Sequence, residues 1–458
     1  MKFVPALDPG FSPMILRLRE YKQKVSKADK KQKFIICLER NKGYNYHYEI
    51  DIFKDNTGHD QENYEIIERL VKTLLWIAGG YKIYLAGSDY LFERLKTDYK
   101  KGGTREFDAE FMALVYEKEF TVIKVDYQDI PPLNQEIVMF EHDLSGCRIG
   151  FDAGGSDRKV SAVIDGKVIY SEEVVWYPKI NSDPEYHYQN ILEAMRTAAS
   201  YLPRVDAIGV SSAGIYVDNR IMMASLFLKV PNNLFDKHVK NMYIDIAKTF
   251  GPDIPLRVAN DGEVTALAGA MDLNDNQILG IAMGTSEAAG YINSEGNLTG
   301  WLNELAFVPI DFNKLSLVDE WSGDYGCGVK YFSQDSVIKL AEAGGYKFDA
   351  NLSPAQKLKE IQKLNDKGNN LAEQIFTDIG IYLGYTTAYY AHFYQIKHVL
   401  LLGRVMSGKG GNLIQEWATK TLHEEFPEYK HIRYQLPDEK SRRVGQSIAA
   451  ASLPSLKK

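Results

Sequence analysis

Residues 148–163 read Arg-Ile-Gly-Phe-Asp-Ala-Gly-Gly-Ser-Asp-Arg-Lys-Val-Ser-Ala-Val, and no other stretch restricts the fold as much. A short apolar run ends in Asp152, Gly154, Gly155 and Ser156 make a turn, and a second apolar run follows. Glycines let backbone N–H groups approach an anion closely, and the Ser156 hydroxyl adds a donor. An aspartate at a strand end can hold hydrated Mg²⁺, a hard cation that prefers carboxylate and water oxygens. The segment predicts a strand–turn–strand that grips phosphate. An ordinary Gly-rich β-turn is the competing reading, because short motifs match by chance.

Three further stretches follow in order. Val258-Ala259-Asn260-Asp261 is a strand running into Asn-Asp ahead of a small-residue helix over 262–271. Residues 278–292 form a second strand–turn–strand around Gly284-Thr285-Ser286. Residues 398–411 are an apolar strand that breaks at Gly403 into a Gly-rich loop before a helix. Together these four motifs resemble those of the actin-like sugar kinase and heat-shock ATPase superfamily, and within it the ROK family of bacterial sugar kinases and related repressors. The resemblance covers about residues 147–453 and leaves 1–145 outside it. It implies an α/β fold of two actin-like (ribonuclease H-like) lobes around a cleft, plus a small N-terminal α/β domain.

At 458 residues the chain is longer than one typical domain. Apolar and charged fractions are those of an ordinary globular protein. The net charge of −7 argues against a general nucleic-acid binder, which presents a basic face. The Lys-rich stretch 22–33 reads as a solvated helix end. Cys37, Cys147 and Cys327 are far apart and form no CxxC pair, which suits a reducing compartment. There is no signal-peptide core, and no apolar run approaches the ~20 residues needed to span a bilayer. A cytoplasmic protein without a membrane partner is expected.

Residues 1–145 read as an N-terminal α/β domain without a catalytic motif. Runs 34–39 and 44–53 predict a hairpin. Helical apolar spacing over 62–78 stops at Gly79-Gly80, a C-cap signal. Residues 81–86 predict a strand, 89–100 a helix, and 112–126 one or two strands. The first lobe is expected over 146–272, completed by a small-residue helix over 443–455, and the second over 273–442.

Phosphoryl transfer needs a base for the acceptor hydroxyl, a metal, and donors around the phosphates. The resemblance makes Asp261 the base and Asn260 a sugar ligand; the alternative is a helix N-cap turn, where both residue types are favoured. Glu304, in Asn303-Glu304-Leu305-Ala306-Phe307, matches the sugar-binding Glu of the family's Gly-Glu-x-Gly-His. Ser212 and Gly214 fall in its sugar-side loop. Gly154, Gly155, Ser156, Gly284, Thr285, Ser286 and Gly403 are the expected ATP and phosphate contacts, with Mg²⁺ held through water by Asp152.

The chain also departs from the pattern. Phe307 replaces a family zinc ligand, and of the accompanying cysteine motif only Cys327 and Gly328 remain. Structural zinc takes four N/S ligands, so no zinc is expected. In the second phosphate loop Ser286 and Ala288 replace glycines, and Glu287 would repel a triphosphate if it faced one. Two readings follow. The first is an ATP- and Mg²⁺-dependent sugar kinase acting on a hexose hydroxyl, with sugar and nucleotide as partners and a homodimer as an allowed assembly. The second is a catalytically impaired sugar-binding sensor or regulatory protein on the same fold.

Overall fold

The computed structural model describes residues 1–135, 144–437 and 439–456, with the backbone alone for 439–444. The expected N-terminal domain therefore includes residues 136–143, which lie outside the described residues, as do the side chains of 443 and 444 in the expected C-terminal helix. The chain divides into two compact units. One comprises residues 1–136, 281–289 and 300–436, and the other 137–280, 290–299 and 437–458.

The first unit begins with a four-stranded sheet in the order β2-β1-β3-β4, built from β1 (Lys31–Glu39), β2 (Asn45–Phe53), β3 (Lys82–Ala86) and β4 (Thr121–Lys124). β1 and β2 form the expected antiparallel hairpin, with Lys31 opposite Phe53 and Glu39 opposite Asn45. The helix Asp60–Ala78 ends at Gly79, whose φ of 78° is open to glycine without steric cost. The stretch 112–126 departs from the sequence reading: a helix runs over Glu106–Tyr116, and only β4 is extended. Acidic residues in its first turn suit a helix start, and Phe111, Met112 and Val115 are buried at helical spacing. Tertiary burial there overrides a β-rich composition.

Charged side chains on these helices are buried with a loop much later in the chain. Asp324 accepts from Arg69 at 2.6 and 2.9 Å and from Lys72 at 2.6 Å, and it pairs with Arg105 at 2.8 Å. Glu68 pairs with Arg105, and Asp108 lies 3.9 Å from Lys72. Burial alone would raise the Asp324 carboxyl, but Lys72, Arg105 and Arg69 hold it far below the usual carboxylate range. The same unit carries the sheet β13-β12-β14-β15, made of β12 (Ile278–Met283), β13 (Glu287–Ile292), β14 (His398–Leu402) and β15 (Arg433–Gln435); the division between units falls within β12 and β13.

In the second unit β5 (Cys147–Ala153), β6 (Asp157–Ile164), β7 (Lys167–Val175), β8 (Ala207–Ser212) and β11 (Leu256–Asn260) form a sheet in the order β11-β8-β5-β6-β7. β9 (Ile215–Val217) and β10 (Arg220–Met223) form a small hairpin. β11, β8 and β5 are parallel, and β5-β6-β7 is the antiparallel meander. The helix Glu439–Ser452 lies on β5 and β8 where Gly150 and Gly209 pair directly. A Cβ on Gly150 would sit 1.8 Å from Ser447 O, and one on Gly209 would sit 1.7 Å from Ala450 O. Only glycine permits this approach, and the alternate apolar residues Ile149, Phe151, Ile208 and Val210 join the core of this unit. Among the described residues, no helix is long and apolar enough to cross a membrane.

Two outcomes are expected in urea denaturation. Gly209→Ala lowers stability by at least the about 1–3 kcal/mol typical of overpacked cores, because a backbone carbonyl must move. Asp324→Ala costs about 3–5 kcal/mol, because it leaves buried cations without their shared counter-charge.

Candidate functional site

The three parallel strands of the second unit end side by side. Asp152 pairs in register with Ser211, Ala153 with Ser212, and Ser212 with Asn260. The sheet therefore brings Asp152, Ser212 and Asn260-Asp261 to one edge, where the C-terminal ends of parallel strands place ligand-facing groups in α/β folds. Asp152 is buried. Its Oδ1 accepts from Ser211 Oγ at 2.8 Å, and its Oδ2 lies 3.8 Å from Lys159 Nζ. Burial pushes its pKa up to about 6, against the pull of Lys159 and Ser211; the charge of Asp261 adds to the rise.

Asn260 is the N-cap of the helix Asp261–Leu273: its Oδ1 accepts from Gly262 N–H at 2.7 Å. Its Nδ2 donates to Gly214 O at 2.7 Å, which fixes the turn after β8. The capping reading and the ligand reading are thus compatible only through the second N–H and the second lone pair of this amide. Asp261 occupies the first helical position, where the helix dipole favours a carboxylate. Burial raises its pKa, while backbone N–H groups and Lys179 oppose the rise. Ser212 is buried and accepts from Tyr243 O–H at 3.1 Å.

The Gly154-Gly155-Ser156 turn is clamped from the end of β7. Trp176 Nε1–H donates to Gly154 O at 2.7 Å, and Trp176 N–H donates to Ser156 O at 3.2 Å. Gly155 and Ser156 are exposed. Sequence reasoning missed Ser211, Lys159, Tyr243, Trp176 and Lys179 as members of this group. Their shared signal is position, at or just past the ends of elements in the same sheet layer.

The remaining candidates belong to the first unit. Gly403, with φ 93°, lies against the end of β12, where a Cβ would meet Met283 O at 2.2 Å. It is thereby placed beside the turn Gly284-Thr285-Ser286, whose Thr285 and Ser286 are exposed. Gly284 N–H already donates to Ser286 O at 2.9 Å, so this turn offers one donor fewer than an open phosphate loop.

Glu287, the residue that most troubles the sequence reading, is 3% exposed and turned into the unit. Its Oε2 would lie 2.5 Å from a Cβ on Gly328, and neither carboxylate oxygen has a hydrogen-bond partner among the described residues. Burial, reinforced by the charge of Glu304, holds its pKa well above the usual glutamate range, which favours the protonated carboxyl. Glu304 itself sits where the loop 303–308 runs along the helix Asp60–Ala78, with Glu304 N–H donating to Trp76 O at 3.0 Å.

Phe307 stacks on Trp76 with ring centroids 4.2 Å apart. Cys327 is buried with Lys72 Nζ at 3.8 Å, so its neighbouring charge is an ammonium of the protein. Among the described residues no group of three His, Cys, Asp or Glu side chains could hold a metal ion. This does not conflict with Mg²⁺ at Asp152, since Mg²⁺ is commonly held by one or two carboxylates plus phosphates and water rather than by an all-protein cage. A cavity of about 470 Å³ lies elsewhere in the first unit, lined by Tyr64, Glu68, Arg69, Arg105, Phe312 and Tyr325 among others; none of the candidate site residues lines it.

No protein-family model matches the sequence, and no curated protein matches it. Solved structures do match in fold. A ROK hexokinase from Thermus thermophilus superposes with a TM-score of 0.54 at 17% identity, covering 68% of this chain and 98% of the hexokinase. A ROK family transcriptional regulator, a homologue of the E. coli MLC protein, superposes with a TM-score of 0.53 at 18% identity, covering 67% of this chain and 78% of the regulator. The chain therefore has the mixed α/β fold of ROK proteins.

Glu287 generates a pH prediction. The unfolded chain releases this proton near pH 4.3, whereas the folded chain keeps it, so stability from this group falls as pH rises above that value. Glu287→Gln should match the wild type near pH 4 and become progressively more stable than it as pH rises above the unfolded-state pKa, read as the difference in urea midpoints across the range. A difference that does not change from pH 4 to 8 would contradict a carboxyl raised by burial.

Proposed function

We propose that the protein is a divergent ROK family member that phosphorylates a sugar hydroxyl with Mg-ATP. The observation that carries this reading is the edge of the second unit's sheet. There Asp152, Ser212 and Asn260-Asp261, brought in by three different strands, converge with a clamped Gly-Gly-Ser turn. The fold is shared by a ROK hexokinase and a ROK transcriptional regulator, so the fold alone does not choose between kinase and sensor.

Asp261 is the base. It starts its helix at the same sheet edge as Asp152, close enough for its charge to raise the Asp152 pKa. Bound ATP would supply the phosphoryl group: the sugar oxygen forms the new bond to phosphorus, the bridging bond breaks with its electron pair on ADP, and the proton passes to Asp261. Asn260 fixes where Asp261 begins its helix and keeps one N–H for a sugar hydroxyl. Asp152 would hold Mg²⁺ through water, its buried charge then being offset by the cation. Gly154, Gly155, Ser156, Gly284, Thr285, Ser286 and Gly403 are the proposed nucleotide contacts, and Glu304, Ser212 and Gly214 further sugar contacts. A hexose is the proposed acceptor, and the cytoplasm the proposed compartment.

The sensor reading is favoured by one observation, the Gly284 N–H spent within its own turn. Retention of Asp261 at the helix start favours the kinase, since a binder has no need of a base.

ADP release on a panel of hexoses and N-acetylhexosamines with Mg-ATP tests the reading. Sugar-dependent turnover is expected, and Asp261→Asn should lower kcat by about 10²–10⁴ while leaving sugar binding in place. Because burial raises the Asp261 pKa, the acid limb of kcat/KM should lie above the ordinary aspartate range. Sugar binding without turnover in the wild type would select the sensor.

A further inference from the structure

Two lysines approach the clamped turn of the second unit, and they differ in how their charge is used. Lys159 lies 3.2 Å from Asp157 and 3.8 Å from Asp152, so carboxylates already offset it. Lys179 makes no salt bridge among the described residues and is exposed. Its side chain nevertheless lies against the turn. A Cβ on Gly155 would be 2.7 Å from Lys179 Cε and 2.9 Å from its Nζ, so the end of the stem crosses the turn at Gly155.

The backbone that carries Lys179 is pinned on both sides. Trp176, 1% exposed, donates its indole and main-chain N–H groups to the two carbonyls of the turn. Tyr177 N–H donates to Tyr186 Oη at 2.9 Å. Pro178 opens a short 3₁₀ turn over Pro178–Ile180, and its carbonyl faces His187 Nε2 at 3.0 Å. Asn181 closes the segment, with Nδ2 donating to Tyr177 O at 2.7 Å. A mobile surface lysine would need none of this. The cation lies beside the Gly turn, and its field also reaches Asp261.

We propose that Lys179 is the cation of the first phosphate turn, its ammonium pairing over Gly155 with the terminal phosphate of a bound nucleoside triphosphate. The inference rests on the nucleotide-binding part of the function proposed above, not on sugar turnover. It assigns to this chain a positive charge at the first phosphate turn, where it would meet the negative charge of a triphosphate. Exposure of the side chain means its replacement leaves the fold intact.

Calorimetric titration of Mg-ATP, Mg-ADP and AMP into the wild type, Lys179→Met and Lys179→Arg tests it, with circular dichroism as the check on folding. The wild type should prefer ATP over AMP. Lys179→Met should weaken ATP binding by about 10- to 100-fold, the range of a charge-assisted hydrogen bond, and leave AMP binding unchanged. Lys179→Arg should keep most of the ATP affinity, and raising the salt concentration should narrow the difference between wild type and Lys179→Met. Equal ATP affinity in wild type and Lys179→Met, a parallel loss for ATP and AMP, or no ATP binding by the wild type would overturn the proposal. ATP binding that depends on Lys179 in a protein that phosphorylates none of the sugars would uphold it while the kinase reading fails.

Discussion

Two glycines in register, Gly150 on β5 and Gly209 on β8, let the backbone of the C-terminal helix rest directly on the sheet of the second unit. The second unit's share of the proposed site rests on the strands that meet at that contact. It fixes β5 and β8 relative to one another along their length, and their ends carry Asp152, Ser211 and Ser212. β11 continues the parallel order and delivers Asn260 and Asp261. Parallel strands place equivalent ends on one edge, so carboxylates and hydroxyls distant in sequence become neighbours without a strained backbone. The cost of assembling them is visible in their electrostatics: Asp152 and Asp261 are both raised by burial, and the charge of Asp261 raises Asp152 further. A site that gathers negative charge and keeps it dry is poised for a cation and for a proton.

The first unit is held by a different kind of interaction. Arg69, Lys72 and Arg105 share Asp324, with Glu68 and Asp108 completing the balance of three cations and three carboxylates. Such a cluster is weak evidence for stability, since burying charges costs what their pairing returns. It is strong evidence for register, because any displacement of the loop around Asp324 leaves several charges unpaired. Close by, Phe307 stacks on Trp76 and Cys327 lies beside Lys72. Aromatic stacking and an internal ammonium set the environment of this loop.

Legibility in the sequence followed the range of the interaction. The hairpin over 34–53, the helix ending at Gly79 and the Gly-Gly-Ser turn are local events, decided by periodicity and by residues that permit unusual φ, and the sequence analysis located them. The stretch 112–116 was misread because its aromatic and β-branched content suits a strand, whereas burial of Phe111, Met112 and Val115 at helical spacing decided for a helix. Glu287 was legible as a charge but not as a direction. A residue at the start of β13 faces one side of the sheet or the other, and only packing against Gly328 turned it inward. Lys179 was not legible at all. Its relation to Gly155 passes through the β6–β7 meander and the fold-back at Trp176, and no spacing rule encodes that path.

By itself the sequence determined the fold class and the identities of the candidate groups: a phosphate-type turn after Asp152, an Asn-Asp at a helix start, and glycines where backbones must turn. These are properties of short segments, in which each residue's conformational preference acts on its immediate neighbours. Tertiary structure alone decided that Glu287 is buried with its pKa raised, that residues 1–136 form one compact unit with 281–289 and 300–436, and that Lys179 lies beside the Gly turn. Each of these outcomes turns on which surface a side chain is pressed against. That is fixed by burial and by the pairing of charges far apart in the chain, and neither is a property of the residue or of its neighbours in sequence.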